Sequence, residues 1–321
     1  MIPEEIKALS LFSQEYLQFP PFVVAFNEIE RMVEMYRTTR IAQNLLITGE
    51  SGSGKTTLCE LIEQKYPRLV LPERDVVPIL FISIPPAATI SSVAEALLGK
   101  LGDPTPTVGT NPAKTFRVIR LAKACGVELL LFDETNHIYD RGQSPTQYLV
   151  GDWLKGLIDS VKVPTVMVGI PRVKDLLRVN EQLRRRFTRH KSLELGKGTE
   201  SIEEECLSLF TTLTPSLPLP FSKGSASWRE LASRLYFATD GRVGYLKILL
   251  IAAIRVAYEL QLEKITPQEL AMAFTEEVWQ QGIGPLNPFH EKFIFRRLDR
   301  QGEPFEQGAL VARPRKISHA V

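Results

Sequence analysis

Cysteine is scarce and scattered. There are only three, Cys59, Cys125 and Cys206, each alone in an apolar or helical stretch. No pairing or metal-ligand spacing exists among them, which excludes a disulfide framework and points to a reducing compartment. An excess of one charge is also lacking. With 39 basic residues against 37 acidic ones, the chain as a whole does not announce a nucleic-acid partner. No run approaches the ~18 consecutive apolar residues that a membrane helix needs, and the opening "MIPEEIKALSLFSQEY" is acidic where a secretory signal is basic. Internal repeats and low-complexity tracts are missing too. A cytoplasmic protein with no membrane partner is the expectation. At 44% apolar residues, the 321-residue chain can bury a sizeable core, and its length suggests about two domains.

The richest stretch is "NLLITGESGSGKTTLCELIEQKY", residues 44–66. Asn44–Thr48 is a short apolar run suited to a buried parallel strand. It runs into Gly49-Glu50-Ser51-Gly52-Ser53-Gly54-Lys55-Thr56, a full G-x-x-x-x-G-K-[ST] match followed by Thr57 and a helical pattern. Glycines let backbone N–H groups converge on phosphates, and the helix N-terminus adds its positive dipole end. Residues 49–57 are thus the expected phosphate cradle, with Lys55 on the β- and γ-phosphates and the Thr56 hydroxyl on Mg²⁺. The implied cofactors are ATP and Mg²⁺. A second acidic centre follows in "GVELLLFDETNHI". Asp133 ends the apolar run and would hold Mg²⁺, and Glu134 would polarise the attacking water. Such a pair can also merely cap the next helix, but beside a phosphate loop it favours hydrolysis. His137, one of four histidines, has no ligand cluster around it, so a hydrogen-bonding role is the plainer reading.

Further strands are expected at 76–84, 163–170 and 191–195, alternating with helices at 89–101, 112–125, 145–161 and 172–189. That alternation predicts an α/β fold with a five-stranded parallel sheet covered on both faces. Ligands then bind beyond the carboxyl ends of the strands, where the glycine loop and Asp133-Glu134 both fall. After about residue 199 the pattern is helical only, marked by capping signals at Ser227 with Glu230 and at Thr266-Pro267-Gln268-Glu269. The expected organisation is an N-terminal segment over 1–40 packed on the core, the core over 41–198, an all-helical unit over 199–281 and a tail over 282–321. The tail interleaves charges with Phe289, Phe293, Phe295 and Phe305. It reads as an arm that orders against a partner.

A phosphate loop, an Asp-Glu strand end and an all-helical lid resemble an AAA+ ATPase, a three-layer P-loop core followed by a lid. "RTTRIAQNLLITGESGSGKTTL", "LLLFDETNHI", "VPTVMVGIP", "EQLRRRF" and "TDGRVGYLKILLIAAI" together resemble the TniB/TnsC family of transposition regulators over roughly residues 20–280. The resemblance implies an ATPase that assembles with itself, as a ring or filament, on double-stranded DNA. It would link a TniQ/TnsD-type target selector to a transposase. It also implies that Arg242 of "TDGRVG" is a sensor of the γ-phosphate, and that Arg186, or its neighbour Arg185, reaches into the next subunit's nucleotide site. Successive helical residues point about 100° apart, so Arg184, Arg185 and Arg186 cannot all serve one anion. Many AAA+ proteins carry a polar residue at the end of the fourth strand. Here Val168-Gly169-Ile170 has none, which favours slow hydrolysis, and Asn136 is the available substitute.

The basic block Arg172–Lys191 holds eight basic and two acidic residues and so is also a phosphate-binding candidate. For DNA in the pore of a ring, the candidates are Lys100, Lys114, Arg117, Arg120 and Arg141, whose contacts would be salt-dependent and largely blind to sequence. Two other functional classes stay open: a helicase loader or DNA-remodelling motor, and a nucleotide-gated scaffold with little hydrolysis.

Overall fold

The computed structural model describes residues 2–16, 19–86, 88–140, 144–196 and 201–306. In chain order, helices α1 (Pro3–Gln14) and α2 (Pro20–Thr39) lead into β1 (Asn44–Thr48) and α3 (Lys55–Lys65). A short antiparallel hairpin, β2 (Leu69–Val70) and β3 (Asp75–Val76), precedes β4 (Ile79–Ser83), α4 (Ile90–Lys100), α5 (Asn111–Ala124) and β5 (Leu129–Asp133). Next come α6 (Asn136–Asp140), α7 (Ser144–Val161), β6 (Thr165–Gly169), α8 (Val173–Val179), α9 (Glu181–Arg186) and β7 (Arg189–Ser192). Helices α10 (Ile202–Leu213), α11 (Trp228–Thr239), α12 (Val243–Glu259) and α13 (Pro267–Ala273) follow, ahead of largely irregular residues up to 306.

Five strands form one parallel sheet in the order β4-β5-β6-β1-β7. Side chains alternate across it with the period of two that a strand imposes. Leu45, Ile47, Leu129, Leu131, Val166 and Val168 face one core with α2 and α3. Leu46, Leu80, Leu130, Phe132 and Met167 face the other with α4, α5 and α7. Burial on both faces explains why these strands read as unbroken apolar runs. Among the described residues, no helix is long and apolar enough to cross a membrane.

The structure corrects three local expectations. The helix expected over 172–189 is two helices, because Asn180 adopts an extended backbone and its Oδ1 accepts a hydrogen bond from the Leu183 N–H at 3.0 Å. An amide that caps a new helix start ends the old one. The fifth strand is Arg189–Ser192 rather than 191–195. It is a polar edge strand, held by an Arg189–Glu28 ion pair and by His190 Nε2 at 2.7 Å from Thr48 Oγ1. Leu193 and Leu195 lie past its end and pack in the core.

The third correction concerns the tail. Residues 282–306 need no partner to order: Phe289, Phe293, Leu298 and Phe305 are buried against the helical region. Buried Arg234 of α11 donates to the carbonyls of Pro288 and His290, and Arg297 pairs with Asp240. The irregular aromatic spacing hid this packing because a coil buries its side chains without a period. Residues 307–321 lie outside the described part. Phe305, 1% exposed, packs its ring edge-on to Tyr245 of α12. Phe305→Ala is expected to lower stability by about 3 kcal/mol, read from the urea midpoint at unchanged slope.

Candidate functional site

The turn after β1 has to reverse tightly around an anion-sized space. Gly52 and Gly54 do this in the left-handed region, at φ 79° and 82°, which residues with a β-carbon rarely adopt. Gly54 is the N-cap of α3, so the first free N–H groups of that helix face the loop. Lys55, 5% exposed, donates from Nζ to the Glu50 carbonyl at 2.9 Å. Burial holds its ammonium below the ordinary pKa, against the opposing pull of Glu134 and Asp133. The Ser53 hydroxyl is buried with no hydrogen-bond partner among the described residues.

Two strands away, β5 delivers the acids. Asp133 is fully buried and accepts hydrogen bonds from Thr56 Oγ1 at 2.7 Å and from the Glu134 N–H at 2.8 Å. Burial raises its pKa, and those two hydrogen bonds oppose the rise. A threonine hydroxyl against a carboxylate is the protein half of a hydrated Mg²⁺ site beside a phosphate. The fit is to that kind of site and not to an all-protein cage. Among the described residues no group of three His, Cys, Asp or Glu could hold a metal. A cavity of about 380 Å³ gathers Ser51, Gly52, Gly54, Lys55, Thr56, Thr57 and Glu134. Sequence reasoning singled out all seven. The larger cleft of about 1060 Å³ between α11, α13 and residues 283–291 has neither glycine cradle nor acidic pair.

Glu134 has a left-handed backbone, φ 51°, an uncommon state for a residue with a β-carbon. Its neighbours fix it there. Thr135 Oγ1 donates to the Val168 carbonyl at 2.7 Å, and Asn136 Oδ1 accepts from the Ile170 N–H at 3.3 Å. The Asn136 amide therefore occupies the end of β6, where the sequence itself places nothing polar. A β-carbon on Gly169 would stand 2.9 Å from that amide oxygen. His137 bonds to the Ile84 carbonyl through Nδ1 at 2.8 Å, a structural role.

From the helical region, the start of α12 docks directly on the loop. The Gly244 N–H donates to the Gly52 carbonyl at 2.7 Å, and a β-carbon at 244 would meet that oxygen at 2.9 Å. Gly244→Ala is expected to destabilise the chain by about 1–3 kcal/mol by forcing the two backbones apart. A thermal melt would show it as a drop of several degrees.

Arg242, expected as a sensor of the γ-phosphate, is engaged by its own neighbours. Val243, Gly244 and Lys247 line the cavity from this helix. Arg242 pairs with Asp240 at 3.2 Å and lies over the rings of Tyr245 and Phe305. It thereby ties residues 297–305 to the start of α12. The residues missed in the sequence are Lys247, Glu15, Tyr16, Phe19 and Phe22, which complete the cavity wall. Lys247 left one trace, a lone charge in the apolar run "VGYLKILLIAAI". The N-terminal residues belong to no motif.

The arginine cluster divides as helical geometry requires. Arg184 and Arg185 are exposed, and Arg185 pairs with Glu181 at 2.7 Å. Arg186 is half-buried and paired with Asp159. Burial acts to raise the pKa of Asp159, but Arg186 and Lys155 together hold it below the usual carboxylate range. The DNA candidates fare unevenly. Lys114 is buried, with Nζ 2.6 Å from Glu95 and 2.9 Å from Ser91, so it braces α5 on α4 and faces no groove. Arg117 donates to the carbonyls of Thr105 and Val108, and Lys100 pairs with Glu63 at 3.1 Å. Arg120 is exposed, with no partner among the described residues. Arg141 lies outside the described part.

The family model described as "Bacterial TniB protein" matches residues 7–195. The chain belongs to the TniB family. No curated protein matches it. Among solved structures, Cdc6p from Pyrobaculum aerophilum is 13% identical with a TM-score of 0.58, over 86% of this chain and 72% of that one. The ORC2 protein of Aeropyrum pernix, in ADPNP–ADP complexes, is 14% identical with a TM-score of 0.55, over 84% and 72%. The ORC1 protein of the same organism, in complex with DNA, is 15% identical with a TM-score of 0.57, over 84% and 69%. At such identities the likeness is one of fold. This TniB protein has the AAA+ fold of the ORC/Cdc6 type, with a five-stranded parallel sheet and a helical C-terminal region.

Proposed function

We propose that this TniB protein is a Mg²⁺-dependent ATPase that assembles with itself on double-stranded DNA and regulates transposition. The observation that carries the reading is the convergence of Lys55, Thr56 and Glu134 on one cavity, with buried Asp133 behind it hydrogen-bonded to the Thr56 hydroxyl. ATP with Mg²⁺ would supply the scissile phosphoanhydride and its charge neutralisation. The chain's own residues do the rest. The N–H groups of 52–57 and Lys55 bind phosphate, Thr56 and Asp133 orient the metal's shell, and Glu134 takes the proton of the attacking water. Asn136, whose Oδ1 accepts from the Ile170 N–H at the end of β6, is the residue we assign to orienting that water. Arg186 is the residue we assign to a neighbouring subunit's site, released from Asp159 when subunits meet. We read 41–198 as the ATPase core, 199–281 as its lid and 1–40 as a segment packed on both.

The nucleotide complexes of ORC2 and the DNA complex of ORC1 make both ligands reasonable for this fold. DNA contact here rests on the family more than on the pore residues, of which Arg120 stands free. Linking a TniQ/TnsD-type selector to a transposase is the output that the family resemblance favours.

The test is phosphate release with and without duplex DNA. Release should need Mg²⁺, rise with duplexes of unrelated sequence, and lose that stimulation steeply between low and moderate salt. Release indifferent to duplex at every salt concentration would contradict the DNA-dependent half.

A further inference from the structure

Lys247 is one turn into α12, on the same face as Gly244, and lines the same cavity as Lys55 and Thr56. Its Nζ donates to the backbone carbonyl of Glu15 at 2.8 Å. Glu15 is the C-cap of α1, the partially negative end of that helix. Among the described residues no carboxylate forms an ion pair with Lys247, and half-burial lowers its pKa below the ordinary lysine value against the pull of Glu15. An ammonium carries three donors, so one carbonyl leaves it with directions to satisfy toward the cavity. The other cation at this end of α12, Arg242, is engaged by Asp240 and two aromatic rings.

We propose that Lys247 is the helical region's contact to the bound nucleotide's phosphates, and that its bond to Glu15 couples nucleotide binding to the docking of α1. α1 is weakly held by itself, with Phe12 its single buried residue. A phosphate shared with the Glu15 carbonyl by one ammonium fixes the Lys247 side chain between both, and so strengthens the seat of α1 on α12. The inference rests on residues 49–57 being the nucleotide site.

The experiment uses the full chain, a fluorescent ATP analogue for affinity, and amide hydrogen exchange over residues 3–16. Wild type should bind, Lys55→Ala should lose binding, and Lys247→Met should bind at least about tenfold more weakly, the loss of one charge-assisted contact. Lys247→Arg should restore most of the affinity. Nucleotide at saturation should slow exchange over 3–16 in wild type and Lys247→Arg, and leave it unchanged in Lys247→Met. If wild type binds, Lys55→Ala does not, and Lys247→Met matches wild type in affinity, the phosphate contact is wrong while the nucleotide site stands. Weaker binding by Lys247→Met with α1 still slowed overturns the coupling. If wild type takes no nucleotide, the site and this inference fall together.

Discussion

Glu134→Gln is expected to reduce ATP turnover about a thousandfold while nucleotide affinity stays within about twofold. The amide has the size and the hydrogen-bonding reach of the carboxylate but cannot take a proton. Glu134 lies on the cavity wall, and neither the Lys55–Glu50 carbonyl bond nor the Thr56–Asp133 bond involves its side chain, so binding and chemistry should separate at this residue. The left-handed backbone at 134 is held by Thr135 and Asn136, not by the Glu134 side chain, and the substitution should leave it in place. Single-turnover phosphate release beside equilibrium binding reads both halves. Turnover within tenfold of wild type would remove Glu134 as the base and favour a scaffold in which hydrolysis is incidental.

The second large effect is at Arg186. Arg186→Ala should lower turnover of the assembled protein by about 10³-fold or more and leave the isolated chain's nucleotide affinity unchanged, because in its own subunit the guanidinium binds Asp159 and not the cavity. Arg185→Ala should do little, since its exposed pair with Glu181 is worth only a few tenths of a kcal/mol. Mixing Arg186→Ala with Glu134→Gln protein gives the sharper readout. Each variant alone is inactive, but a junction with the glutamate of one and the arginine of the other is complete. Activity should return in the mixture. A mixture as inactive as its parts would show that Arg186 acts within its own subunit.

The phosphate loop and the acidic pair were legible in the sequence because each depends on near neighbours in the chain. Glycine spacing sets the loop, and an apolar strand fixes where Asp133 emerges. Their meeting across a parallel sheet follows from strand alternation. The side of the site built by the helical region was not legible in the same way. "TDGRVG" marks the start of α12, but which basic residue faces the cavity depends on Asp240, which is itself shared with Arg297 from 57 residues downstream. Lys114 misled for a similar reason. Spacing puts it on a helix, whereas its burial against Glu95 is a matter of how α4 meets α5. Phe289, Phe293 and Phe305 carried no period, and only the finished bundle shows what covers them.

The most direct measurement is electron microscopy of the purified protein with and without double-stranded DNA, in ATP, in ADP and in a non-hydrolysable ATP analogue. Rings or filaments should form with DNA in ATP and in the analogue, and fade in ADP. Single particles with DNA in every nucleotide would contradict an ATP-gated assembly on DNA.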